Sequence, residues 1–119
     1  MDTSTTGDRI PAEAVKLLEA LLKSDKPGHR ALRAQIPYLR VAGHCTCSCA
    51  SIDFGLDKAA VPSAPVTENP VTDATVLDSD GQPVGGALVF AYDGYLSNLE
   101  VYAWGDEQIT QLPSSDRLC

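Results

Sequence analysis

Val15, Leu18 and Leu22 recur at helical spacing along the first third of the chain, and Leu17 with Leu21 widens the stripe they define. This pattern predicts a helix over about residues 11–23. Pro11 opens it in the first turn, where its missing N–H is not needed, and Glu13 favours the positive end of the dipole. The turn residues of "SDKPG" then stop it. A shorter helix is predicted over about 29–36, with Leu32 and Ile36 facing inward, Arg30 and Arg33 facing water, and His29 solvated at its start. Pro37 limits its extension. The two form a helical hairpin.

After Leu39 the period changes from helical to alternating. In "RVAGHCTCSCASIDFGLD", Ile52, Phe54 and Leu56 share one side, with Ser51, Asp53 and Gly55 on the other, as in a strand with one buried face. Residues 58–70, with three prolines and no period, read as an extended connector over the surface. "VTDATVL" and "GGALVFAY" are strands separated by the turn cluster "DSDGQP". Asp93-Gly94 is the strongest hairpin signal in the chain, because two positive-φ residues match the twist of paired strands. A two-residue loop there sets Tyr92 opposite Tyr95, Phe90 opposite Ser97 and Leu88 opposite Leu99. Leu99, Val101 and Ala103 then share one face of the last strand, and Glu100, Tyr102 and Trp104 the other. The stretch from Gly105 onward is expected to wrap the sheet edge.

The predicted fold class is α+β: an N-terminal helical hairpin packed on an antiparallel sheet of about four strands, arranged as a meander. Residues 1–9 are expected to be a disordered tail, and 10–119 a single domain with strands within 40–57 and 71–104. A chain of 119 residues can bury one modest core without staples.

Charge narrows the partners. The formal net charge is −7, which disfavours a generic attraction to nucleic acid or to an anionic membrane. "MDTSTTGDRI" lacks the basic and apolar regions of a signal peptide, and no stretch approaches the ~20 apolar residues of a membrane helix. The expected location is the cytoplasm, where thiols stay reduced and four cysteines imply no disulfide framework.

Candidate chemistry concentrates in "GHCTCSCAS". His44, Cys45, Cys47 and Cys49 are a donor set that zinc accepts. On a regular strand, alternate side chains lie roughly 7 Å apart, too far for bonds of about 2.3 Å to gather them without a bend. Gly43 leaves room for one. Packing as small hydrophobes on a buried strand face is the competing reading, and a reactive thiol a third. "DSDG" at 78–81 opens like a calcium loop but lacks the later ligands, so a plain turn is expected. No Ser-x-Gly elbow, phosphate loop or HExxH occurs, which points away from an enzyme and from any resident cofactor other than zinc.

A second candidate is a surface. "DGYLSNLEVYAWGDE" sets Tyr95 and Tyr102 among Asp93, Glu100, Asp106 and Glu107. Tyr and Trp carry binding energy at interfaces, and acidic neighbours steer a basic protein partner. Tyr95, at the hairpin tip, is the expected exposed anchor. Trp104 is expected to pack beneath the helices.

"PGHRALRAQIPYLRVAGHCTCSCASIDF" followed by "GGALVFAYDGYLSNLEVYAWGDE" resembles a group of small uncharacterised actinobacterial proteins. They combine a PG-x-x-AL-x-AQ helix, a C-x-C-x-C strand and a DGYLS-x-LEVY hairpin. The resemblance implies a bacterial cytoplasmic origin and one framework for hairpin and cysteine strand. It supplies no catalytic residues. A looser likeness to small acidic immunity-type proteins is one of size, charge and fold class. The functional expectation is a small acidic non-enzymatic binding module, an inhibitor or immunity-type protein. The alternative is a metal-binding or thiol-active protein centred on the cysteines.

Overall fold

The computed structural model describes residues 8–44, 50–105, 109 and 111–119. Helix α1 (Ala12–Leu21) buries Ala14, Leu17, Leu18 and Leu21, the stripe its spacing predicts, with Val15 at its margin. Helix α2 (Pro27–Gln35) starts two residues earlier than expected, because Pro27 suits a first helical turn. A 3₁₀ turn (Ile36–Tyr38) follows it.

Two expectations at this hairpin are corrected. His29 is buried rather than solvated, and its Nδ1 pairs with Ser24 Oγ at 2.7 Å. Arg33 turns inward instead of to water. Its guanidinium donates to the Leu22 carbonyl and, at 2.7 Å, to that of Ser24. These carbonyls stand at and just beyond the end of α1, where backbone acceptors have no helical partner. The side chain thus ties the loop shut.

The sheet has five strands rather than about four: β1 (Arg40–His44), β2 (Ile52–Gly55), β3 (Thr72–Leu77), β4 (Pro83–Tyr92) and β5 (Tyr95–Ala103). All pairings are antiparallel, in the order β1-β2-β5-β4-β3. The meander is therefore partial. β3, β4 and β5 are consecutive neighbours, but β2 pairs with β5, so two hairpin units meet at the centre.

The register of the β4–β5 hairpin departs from the simple expectation. Tyr92 pairs with Tyr95 and Ala91 with Leu96, but Phe90 pairs with Asn98 and Leu88 with Glu100. Ser97 is the extra residue of a β-bulge. The cause is hydrophobic. Leu96 and Leu99 are three apart and would face opposite sides of a regular strand, yet both are buried. One inserted residue lets Leu96, Leu99 and Val101 all point to the core, against Ala87, Val89 and Ala91 of β4. The turn is built as its dipeptide predicts, with φ of 53° at Asp93 and 84° at Gly94.

The helices cover one face of the sheet, α1 against β3 and α2 against β5. Gln35, fully buried, joins them to the hairpin tip. Its Nε2 donates to the Gly94 carbonyl at 2.8 Å and the Pro62 carbonyl at 3.2 Å, and its Oε1 accepts from Leu96 N–H at 2.9 Å. Ser51, expected to face outward, is also buried. Its hydroxyl donates to the Val101 carbonyl and accepts from the Val101 N–H, standing in for a strand residue beside β5. The connector is tied down too. Val61 and Ala64 are buried, and the Asn69 amide exchanges two hydrogen bonds with the backbone of Ala91.

Both sheet edges are partly occupied, which shortens the template open to further pairing. Val41 N–H donates to the Asp8 carbonyl and Arg9 bridges Arg40, so residues 8 and 9 belong to the sheet rather than to the expected tail. At the other edge Cys119 exchanges two backbone hydrogen bonds with Thr75, and Leu118 bridges Val76.

Candidate functional site: the open face of the sheet

Opposite the helices, the same strands present a second row of side chains, and no described element covers it. Alternation places Leu88 and Phe90 of β4 and Glu100 and Tyr102 of β5 on this side. Cross-strand pairing arranges them in lines. Thr75, Gly86 and Tyr102 form one, Asp73, Leu88 and Glu100 the next, and Phe90, Asn98 and Asp53 a third. Tyr92 is 69% exposed and Tyr102 40%. Trp104, just beyond β5, is 56% exposed and donates its backbone N–H to the Val84 carbonyl. Its expected place beneath the helices is therefore corrected: it follows β5 two residues after the outward-facing Tyr102, on the side away from the buried Leu99 and Val101.

Tyr95 is half-buried rather than the exposed anchor of the tip. The Lys58 ammonium lies 5.2 Å from its ring centroid, and its hydroxyl reaches the Lys58 carbonyl at 3.4 Å. Beside it a shallow cleft of about 240 Å³ is lined by Phe54, Leu56, Lys58, Tyr92, Tyr95 and Leu96, among others. Asp93 is exposed in the turn, Glu100 is half-buried, and Tyr102 is exposed. The structure therefore spreads the predicted residues between the turn and the sheet face. Tyr102 and Glu100 are neighbours along one strand face, whereas Tyr95 belongs to the cleft at the tip. Asp106 and Glu107 lie outside the described residues.

The cysteine cluster also lies outside them: Cys45, Cys47 and Cys49 are not described, and His44 is described by its backbone alone, as the last residue of β1. His44 pairs directly with Ile52 of β2, on the other side of the cysteine run in the sequence. Among the described residues, no group of three His, Cys, Asp or Glu side chains could hold a metal ion. The "DSDG" segment is a turn in which Asp78 Oδ1 accepts from the N–H groups of Asp80 and Gln82.

The exposure of Tyr92 escapes sequence reasoning, and its one available signal is the three-residue spacing of Leu96 and Leu99, which betrays the bulge. That of Trp104 follows the alternation that sets it with Glu100 and Tyr102, away from Leu99.

Charge is segregated along the chain in the same sense. Residues 1–49 carry seven Lys and Arg against five Asp and Glu, a net of +2. Residues 50–119 carry two against eleven, a net of −9. The helical half is mildly cationic, and four of the five strands belong to the strongly anionic half. Asp53, Asp73 and Asp93 are exposed around the aromatic residues. On the helical side a cleft of about 320 Å³ contains Arg9, Glu19 and Arg33, but the Arg33 guanidinium is already held by the loop carbonyls. No helix among the described residues is long and apolar enough to cross a membrane. No family model, curated protein or solved structure matches the chain.

Proposed function

We propose that this chain is a small non-enzymatic binding module that engages a basic protein partner through the open β4–β5 face, as an inhibitor or immunity-type protein does. The observation that carries the reading is the uncovered set Tyr92, Tyr102 and Trp104, bordered by Asp53, Asp73, Asp93 and Glu100. Large aromatics left in water contribute little to folding and are the side chains that anchor interfaces. A second copy is disfavoured as the occupant. A two-fold contact would set the same acidic patch against itself, and like charges across an interface cost affinity. A cationic surface meets four carboxylates along that border, Asp53, Asp73, Asp93 and Glu100, with Lys58 the one cation at the hairpin tip among the described residues.

Trp104 is the only tryptophan, so its fluorescence reports directly on this face. Titration with a blocked cationic peptide should shift its emission, and the affinity should fall at least about tenfold between low and physiological salt. Light scattering should find a monomer. Silence of Trp104 toward cationic peptides and toward basic proteins alike would reject the reading. A cytoplasmic setting belongs to the proposal, and recovery of disulfide-linked chain from its host would overturn that part.

The donor set of His44, Cys45, Cys47 and Cys49, which the β1–β2 pairing leaves within one short connection, supports a second reading, a zinc site. Elemental analysis of protein purified without chelator, with a thiol count before and after denaturation, decides it. Less than about one-tenth zinc per chain, with thiols reactive only after unfolding, removes it.

A further inference from the structure

The geometry at Gly86 points to the kind of side chain this face receives. Gly86 and Tyr102 are cross-strand partners. A Cβ placed on Gly86 would lie 2.6, 2.7 and 2.8 Å from the Oη, Cζ and Cε1 of Tyr102. Three near-equal distances to adjacent atoms at the phenol end mean that the glycine meets the ring's face more than its edge. Tyr102 is thus folded down over the sheet, and the residue remains 40% exposed. Any larger residue at position 86 would push the ring away, so the glycine is what lets it lie down.

Glu100 stands two residues before Tyr102 on the same strand face, which sets the carboxylate-bearing residue roughly 7 Å along from the ring-bearing one. The cross-strand neighbours of this pair, Leu88 and Gly86, and beyond them Asp73 and Thr75, supply no positive charge. The arrangement is a flat π-surface beside a carboxylate, in a border of further acids.

We infer that the group recognised here is an arginine guanidinium of the partner, stacked on Tyr102 with Glu100 as its counter-ion. This deepens the reading of the face as a site for a basic protein and rests on it. A guanidinium is planar, weakly hydrated and forked, so it can lie on a ring while two N–H groups address one carboxylate. A lysine ammonium is compact and strongly hydrated, and gains from the charge but not from the flatness. Cation–π contact on an exposed ring adds a modest further increment. The face should therefore prefer arginine to lysine at equal charge.

The test compares two blocked peptides of equal length, one carrying Gly-spaced arginines and the other lysines, by Trp104 fluorescence at about 50 mM salt. The arginine peptide should bind about fivefold more tightly. Tyr102→Leu should abolish the preference, and Tyr102→Phe should keep it. Gly86→Ala, which removes no group that faces a ligand, should abolish it as well by lifting the ring. If that variant fails to fold, as judged by its thermal transition, the Tyr102→Leu and Tyr102→Phe pair still decides the question. Equal binding of the two peptides, or a preference that survives Tyr102→Leu, overturns the arginine inference and leaves the basic-partner reading standing. Failure of both peptides to bind the unaltered protein overturns the arginine inference, and failure of basic proteins as well overturns the basic-partner reading with it.

Discussion

On β4, Ala87, Val89 and Ala91 are sealed beneath the helices, while Leu88, Phe90 and Tyr92 look the other way and Tyr92 is largely open to water. On β5 the same division separates Leu99 and Val101, both fully buried, from Glu100 and Tyr102. The inner face uses small and branched side chains that nest under two helices. The outer face carries most of the rings and the acids, and among the described residues no helix or strand lies on it, Lys58 reaching only Tyr95 at the hairpin tip. A sheet needs only one apolar face to be stable, and its other face is ordinarily polar. Rings on the second face are a surplus that folding does not require. That surplus is the reason to look for function there.

The sharpest way to break this contrast is to remove Ser97. Without the bulge, either Leu96 or the Leu99 and Val101 pair must turn to water, and cooperative unfolding in urea should disappear. An intact transition would mean that the faces are not divided by this residue. Next in size is Leu99→Ala, expected to cost about 3–4 kcal/mol as a large-to-small change in a filled core. Gln35→Ala should cost about 3 kcal/mol, since Leu96 N–H and the Pro62 carbonyl lose a buried partner together. Ser51→Ala strands one donor and one acceptor of Val101 and should cost about 1–2 kcal/mol. Tyr92→Ser and Trp104→Ser should change stability by less than about 0.5 kcal/mol while weakening binding. If the outer substitutions destabilise as much as Leu99→Ala, the rings are part of the scaffold and the contrast fails.

Much of the fold is legible in the residues because it is local. The leucine stripe of α1 and the Asp93-Gly94 turn depend on neighbours a few positions away, and both form as their sequence predicts. Errors gather where distant segments decide. Arg33 looks like a solvated helix residue until the end of α1 is set beside it. Gln35 looks like an ordinary helix terminus, yet its partners include Gly94 and Leu96, about sixty residues on. Ser51 alternates as an outward residue, but its hydroxyl finds Val101 across the sheet. Each is a polar side chain whose burial is allowed only by an acceptor or donor brought from elsewhere. Of the candidate site, the acid-rich aromatic hairpin is visible in the sequence. That Tyr92 shares the face of Glu100 and Tyr102 is not, because a two-residue turn fits both the regular and the bulged register.

The amino-acid order alone determines the stripe of α1, the place of the Asp93-Gly94 hairpin turn, how closely the thiols follow one another in the chain, and that negative charge gathers in its second half. These follow from short-range sterics, turn chemistry and simple counting. Which face of the sheet is covered, how the two hairpin units join between β2 and β5, and how Tyr102 comes to lie over Gly86 are settled only in three dimensions. Burial is a property of pairs of surfaces, and neither member of a pair specifies the other until the chain has brought them together.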